Sequence, residues 1–410
     1  LKLTPSGIPR GAGSSGGIKQ SKFIQTIIRL KYTSPPSVFL ISDYRSAYYC
    51  HLLFGLLEQD LAYIMGNFAY NLLQGLQTLE KEWQQLVNDI QYGRIDQSLE
   101  LDASTRDDLQ NLLKPNPDRA QVLRTEFEKG FEGILPRIFP KLSYIQCITT
   151  GSMQLYKESL QVYTGDLPIY SPGYGASEAW IGINLEPQKE PPAYVITPSS
   201  AFFEFIRISE VDGDAPTTVD LTSLAVGESY EIVVTTVAGL YRYRLGDVVK
   251  CLGYYNQSPS VEFLYRNGSL LDFYGERVPE NIVFAALIEG INSLGDDCQL
   301  VDYTTAMMYS ISPWRYVIYV EVSKPLASLP DFKICQTKME QFIYDQYPAY
   351  RNLRDKNRLG QLELKLVKTD TFKMLKNKIL AQGTSHAQFK MPRLLKTSEL
   401  VEFIESVLIH

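Results

Sequence analysis

The stretch TTVAGLYRYRLGDVVK, residues 235–250, decides how this sequence folds. It lies within a run of β-type sequence that begins at AFFEFIRI (201–208), continues through SYEIVV (229–234) and ends at LGYY (252–255). Within it Arg242 and Arg244 alternate with Tyr241 and Tyr243, so each pair faces one side of a strand. One arginine face is a candidate for phosphate and the other for solvent. Asp247 follows YRLG at what reads as a strand end, where a carboxylate can accept hydrogen bonds from both hydroxyls of a ribose, or cap the turn after Gly246.

Upstream, YIQCITTGSM (144–153) and DLPIYSPGYGASEAWIGINL (166–185) are short apolar strands running into Gly/Ser-rich turns, as in a layered α/β domain whose strand ends carry a ligand. Nearer the start, SVFLIS (37–42) reads as a short buried strand and SAYYCHLLFGLLEQD (46–60) as a helix with an apolar face. Leu72, Leu76, Leu79, Trp83, Leu86 and Ile90 recur in steps of four and three, one side of a helix packed on a core. The segment EVDGDAPTTVD (210–220) reads as a polar hairpin loop.

After VEFLYRNGSLLDFYGERVPE (261–280) the character changes. Strands RYVIYVEV (315–322) and QLELKLVK (361–368) interleave with helices over NIVFAALIEGINSL (281–294), KMEQFIYDQY (338–347) and TFKMLKNKILAQ (371–382), the pattern of a small α+β domain. The stretch from Arg266 to Asp272 is its natural hinge, and the expected boundary is 268/269.

At 410 residues, two domains are the natural expectation. With 45% hydrophobic and 21% charged residues the chain reads as a soluble globular protein, and a net charge of −6 without a basic stripe argues against nucleic acid as a partner. Five scattered cysteines argue for reduced thiols in the cytoplasm, and with only three histidines a zinc cluster is not expected. There is no apolar run of membrane-spanning length. The glycine-rich GAGSSGGIKQSK (11–22) resembles a phosphate loop, but Pro- and Gly-rich sequence precedes it where a strand should, so it reads as a surface loop.

Five segments in order, TGSM (150–153), YGASE (174–178), TTVAGLYRYRLGDVVK, YRNGSLLDFYGERVPE (265–280) and QFKMPR (388–393), resemble the plant auxin-responsive acyl acid–amido synthetases, the Gretchen Hagen family of the adenylate-forming superfamily. The resemblance covers nearly the whole chain. It implies a large layered α/β adenylate-forming domain over residues 1–268, followed by a small mobile α+β lid domain over 269–410. It also implies N-terminal truncation, since the family's phosphate loop lies upstream of a TPSG segment, here residues 4–7.

The resemblance further implies ATP and magnesium as cofactors, a small carboxylic acid and an amino acid as substrates, and a monomer that binds neither nucleic acid nor membrane. Tyr174 would stack on adenine, Gly175, Ala176 and Ser177 would lie along the nucleotide, Asp247 would take the ribose, and Arg266 would complete the nucleotide site. Glu178 would be catalytic and hold the magnesium. Trp180, His51 and Leu52 would wall the acyl-acid pocket, with Leu53 and Leu56 beside them, although those helix residues serve equally well in a plain core. Lys390, with Gln388, Pro392 and Arg393 around it, would stabilise charge on the α-phosphate. Ala176 stands where serine is usual and Asn267 where aspartate is usual. A non-catalytic binding protein for nucleotide or acyl acid is the alternative reading.

Overall fold

The structure, a computed structural model, describes residues 2, 3, 6, 9, 10, 21–211, 213, 215–266, 271, 274, 276, 278–295, 298–309, 312–324, 332–381 and 389–409. Residues 11–20 of the glycine-rich stretch lie outside them, as do Asn267 and Gln388. The chain forms two compact units. The first holds the described residues up to Thr149 with Tyr156–Ser171 and Phe389, and the second holds Thr150–Leu155 and those from Pro172 on, Phe389 excepted. The expected boundary at 268/269 lies outside the described residues.

In the first unit, Ser21 caps helix Lys22–Lys31, its hydroxyl accepting from the Ile24 N–H at 3.3 Å. The run SVFLIS is not a strand. Val38–Leu40 is a single 3-10 turn, with the Val38 N–H donating to the Pro35 carbonyl at 3.0 Å. A run of four apolar residues is too short for periodicity to separate a strand from a buried turn, and the Pro35-Pro36 pair starts the bend.

Asp43 caps helix Tyr44–Leu57 through the Ser46 N–H at 2.7 Å, and this helix buries Tyr49, Cys50, Leu53, Phe54 and Leu56. The expected leucine stripe lies on helix Ala69–Tyr92, with Leu72, Leu76, Leu79, Leu86 and Ile90 buried and Trp83 half-buried against Phe127. That helix stops at Gly93, whose φ of 63° and a side-chain clearance of only 2.4 Å from the Lys114–Pro115 backbone leave room for glycine alone. Three parallel strands, Tyr63–Phe68, Tyr144–Ile148 and Ile169–Tyr170, form its sheet with the middle one at the centre. Buried Arg119 ties the unit together by donating to the Leu56 and Ile138 carbonyls at 2.7 and 3.1 Å.

The second unit is built on eight antiparallel strands in the order Thr218–Asp220, Phe202–Arg207, Ser229–Thr235, Tyr243–Tyr255, Ser258–Arg266, Ala193–Ile196, Trp180–Ile183 and Gly173–Gly175. Tyr174, Tyr194, Phe205, Tyr230, Val249 and Val261 belong to its buried apolar layer. The expected polar loop joins Phe202–Arg207 to its antiparallel neighbour Thr218–Asp220; Asp212 and Asp214 lie outside the described residues. A second sheet, Leu300–Met308, Arg315–Val322 and Glu363–Leu366, alternates along the chain with helices Glu280–Asn292, Phe332–Gln346 and Thr371–Ala381. These three helices and the two strands Arg315–Val322 and Glu363–Leu366 fall where the sequence pattern places them.

His51 links sequence to stability. Its Nδ1 lies 2.8 Å from the Ser34 hydroxyl, its ring meets Phe39 edge-on, and burial pushes its pKa down to about 4. The folded state therefore refuses a proton that the unfolded chain accepts near pH 6.5, so this stability is complete above pH 6.5 and is lost as pH falls towards 4. His51→Gln should flatten the loss. In urea titrations between pH 7 and 4.5 the wild type is expected to weaken more than the variant, and equal losses would contradict the assignment.

Candidate active site

Asp247 and Arg266 stand directly opposite each other on neighbouring antiparallel strands, so their side chains leave the sheet on the same face. On its other side the Tyr243–Tyr255 strand bulges against Ser229–Thr235: Glu231 pairs with Val248 and Val233 with Arg244, so Ile232 alone opposes Leu245, Gly246 and Asp247. Gly246, at φ 78°, supplies the left-handed residue this needs. The bulge breaks the in–out alternation and leaves Asp247 buried beside Val248 and Val249, with 2% of its surface exposed.

Two groups hold the buried carboxylate. The Tyr174 hydroxyl donates to Oδ2 at 2.6 Å, and Arg266 Nε donates to Oδ1. Tyr174 lies on the Gly173–Gly175 strand, four places along the sheet from Asp247. On a flat sheet four spacings amount to about 19 Å. The bond closes only because the sheet curls. Burial and then the Asp247 charge raise the Tyr174 pKa well above the ordinary tyrosine value, so its proton stays on the phenol and is donated. Expected to stack on adenine, the Tyr174 ring is instead part of the core, 5.6 Å from Tyr194 and edge-on to Phe263 at 5.5 Å.

Around this pair the structure gathers other expected residues. Arg266 keeps about half of its side chain exposed; the hydrogen bond to Asp247 raises its pKa, and the charge of half-buried Glu178 adds to that. Gly175 and Ser177 are exposed on a turn closed by the Ala176 N–H donating to the Ala179 carbonyl at 2.9 Å. Lys390 is exposed, yet the protein around its ammonium and then the Arg266 charge lower its pKa, opposed by Asp247 and Glu280. Tyr174, Asp247 and Arg266 thus form one hydrogen-bonded cluster in the second unit, on which the charges of Glu178 and Lys390 act.

The arginine alternation expected on this strand does not provide a phosphate face. Arg242 precedes the strand at φ 47° and pairs with Glu204 at 3.1 Å, while Arg244 forms a two-point ion pair with buried Glu231 at 2.9 and 2.5 Å. Both guanidiniums are thus engaged by carboxylates carried on other strands of the sheet.

Trp180 is half-exposed, and its indole closes on the Gly173 and Gly175 backbone; a Cβ at Gly173 would lie 2.4 Å from the ring and one at Gly175 3.1 Å. His51 and Leu52 are half-buried on their helix in the first unit, whereas Leu53 and Leu56 are core residues. Sequence reading missed Glu280, Asp302 and Tyr303, which gather around Arg393. The one signal was a carboxylate opening a helix after Pro279, where the helix dipole favours it.

For a metal, the described residues contain no group of three or more His, Cys, Asp or Glu that could hold an ion.

Three family descriptions match the chain: GH3 family N-terminal domain over residues 2–169, GH3 family central domain over 194–266 and GH3 family C-terminal domain over 283–399. The jasmonoyl–L-amino acid synthetase JAR4 of Nicotiana attenuata is 34% identical over 406 residues, 97% of this chain and 70% of that protein. The indole-3-acetic acid-amido synthetase GH3.17 of Arabidopsis thaliana is 34% identical over 408 residues, 92% of this chain and 66% of that one. The solved GH3.15 acyl acid amido synthetase superposes with a TM-score of 0.87 at 32% identity, covering 100% of this chain and 73% of that chain. The fold is that of an acyl acid amido synthetase. The chain belongs to the GH3 family.

Tyr174→Phe removes one hydrogen bond to a charged acceptor and is expected to lower stability by about 1.5–3 kcal/mol, read by denaturant titration. A negligible loss would mean that Asp247 is not held through the phenol.

Proposed function

We propose that the chain is an ATP-dependent ligase that activates a small carboxylic acid as acyl-AMP and passes the acyl group to the amine of an amino acid. The observation that supports the reading is the buried Asp247 carboxylate held by Tyr174 and Arg266 in a member of the GH3 family, with Lys390 as the proposed second cation. In the first step a carboxylate oxygen attacks the α-phosphorus and the bond to pyrophosphate breaks. In the second the amine attacks the acyl carbon, AMP leaves, and the amine gives up a proton.

Asp247, fixed by Tyr174, has lone pairs left to accept ribose hydroxyls. Arg266 and Lys390 offset the charge that grows on phosphate, and Gly175, Ala176 and Ser177 are the proposed lining along the nucleotide. Magnesium, held by Glu178, would neutralise phosphate charge when bound. Trp180 is the proposed wall for the acid, and His51 and Leu52 remain acid contacts implied by family resemblance. Jasmonate-, auxin- or benzoate-like acids are the proposed substrates; the relatives named above are a jasmonoyl and an indole-3-acetic acid synthetase. The segment from residue 269 is the proposed moving lid.

We also propose a cytoplasmic monomer that binds no nucleic acid. Five free, buried cysteines fit a reducing compartment, and among the described residues no helix is long and apolar enough to cross a membrane.

Acid-dependent exchange of pyrophosphate into ATP, measured on the full gene product with jasmonate, indole-3-acetate and benzoate, tests this reading. At least one acid should support exchange, and mass spectrometry should find its amino-acid conjugate. Lys390→Ala should slow exchange by roughly 100-fold while conjugation from a supplied acyl adenylate continues. Exchange with no acid, or an equal loss in both half-reactions, would overturn the proposal or the role of Lys390 respectively.

A further inference from the structure

Tyr174 is flanked by two glycines, and one side chain covers both. The strands Gly173–Gly175 and Trp180–Ile183 pair with Gly173 opposite Ile183, Tyr174 opposite Gly182 and Gly175 opposite Trp180. Ile181 is thus an extra residue, a bulge that sends its side chain into the core and leaves Trp180 on the glycine face of the neighbouring strand. A Cβ on Gly173 would stand 2.4 Å from Cζ2 and Cη2 of the indole, and one on Gly175 3.1 and 3.3 Å from Cε3 and Cζ3. All four atoms belong to the six-membered ring, so that ring spans the two glycines. Neither position has the left-handed backbone that would call for glycine on its own account. What excludes a side chain at both is the ring.

Trp180 nevertheless keeps 50% of its surface exposed. A ring that rests on backbone by one face and leaves half of its area free presents the other face as a rigid, flat surface. The residues nearest to it along the chain are those of the candidate site. Tyr174, between the two glycines, holds Asp247 from the opposite face of the strand, and Ser177 and Glu178 lie on the turn that joins the two strands.

We propose that Gly173 and Gly175 are specificity-determining residues for the acid: by seating the Trp180 indole flat on the strand, they make a platform that selects an acid built on a flat ring over a flexible chain. The proposal rests on the ligase reading above for the acid itself. A planar ring can stack on an indole and has little conformational freedom to lose, whereas an alkyl chain must be ordered bond by bond. A side chain at position 173 lifts the indole from the strand and removes that match. Cross-strand aromatics also shield glycines for the sake of the sheet alone, a role that would leave the choice of acid untouched.

Protein labelled with fluorotryptophan carries three probes, at Trp83, Trp180 and Trp314, and the Trp180 19F signal is the one missing from Trp180→Leu. Gly173→Ala should move that signal strongly, and Gly175→Ala, with its smaller overlap, should move it less. Indole-3-acetate and benzoate should shift it in the wild type, and hexanoate should not. In acid-dependent pyrophosphate exchange, the preference in kcat/KM for the ring acids over hexanoate should fall by roughly tenfold in Gly173→Ala. Comparing acids cancels any change at the nucleotide, which every acid shares. In a Trp180→Leu background, Gly173→Ala should alter the preference no further. Gly175→Ala, expected to act in the same direction by less, decides the matter if Gly173→Ala does not fold. A wild type that prefers hexanoate, a Trp180 signal unmoved by either glycine variant, a moved signal with an unchanged preference, or the same change with and without Trp180 would overturn the proposal. If no acid supports exchange while the ring acids still shift the Trp180 signal, the ligase reading fails and the platform stands.

Discussion

A carboxylate taken out of water must find partners inside the protein or take up a proton, and Asp247 has found two. Desolvation of an ion costs several kcal/mol, and only well-placed hydrogen bonds and an opposite charge offset it. That requirement constrains much of the second unit. The register opposite Arg266 must hold, the Gly246 bulge must turn Asp247 inward, and the sheet must curl until the strand that carries Tyr174 comes round to meet it. A slip of one residue would send Asp247 to the other face and separate it from both partners.

The C-terminal segment carries Lys390, the cation proposed to act at phosphate. Its own sheet has an open edge at Leu300–Met308, and the strap from Pro392 to Leu395 covers it. Covering the edge settles the backbone that carries Lys390, and burying Arg393 against Asp302 and Tyr303 settles it further. The exposed lysine can then approach Arg266 and Asp247 while its backbone stays fixed. The like charges of Arg266 and Lys390 act on each other, an arrangement that fits the phosphate proposed for this site.

How much of this was legible depends on whether a residue's role is local or reached through the fold. The leucine stripe of Ala69–Tyr92 was legible because helical periodicity reports one packed side directly, and the C-terminal helices were legible for the same reason. SVFLIS was not, because four apolar residues carry no period and two prolines chose a turn. Asp247, Arg266 and Lys390 could be named through motif resemblance, but their meeting depends on register and sheet curl, which no local pattern records. Tyr174 shows the limit most plainly: a tyrosine in a glycine-rich turn suggests an exposed ring for stacking, whereas the curl places that ring in the core and uses only its hydroxyl. Arg242 and Arg244 failed likewise, because their partners Glu204 and Glu231 sit on other strands.

The central claim is that the carboxylate held by Tyr174 and Arg266 receives the nucleotide. Calorimetric titration of the full gene product with a non-hydrolysable acyl-adenylate analogue, comparing the wild type with Asp247→Asn, tests it most directly. The asparagine keeps the shape and loses the charge. The account expects binding to weaken by roughly tenfold to a hundredfold, the loss of about 1.5–3 kcal/mol that accompanies charge-assisted hydrogen bonds, with the fold intact by circular dichroism. Equal affinities in two folded proteins would contradict it and remove Asp247 from the nucleotide site.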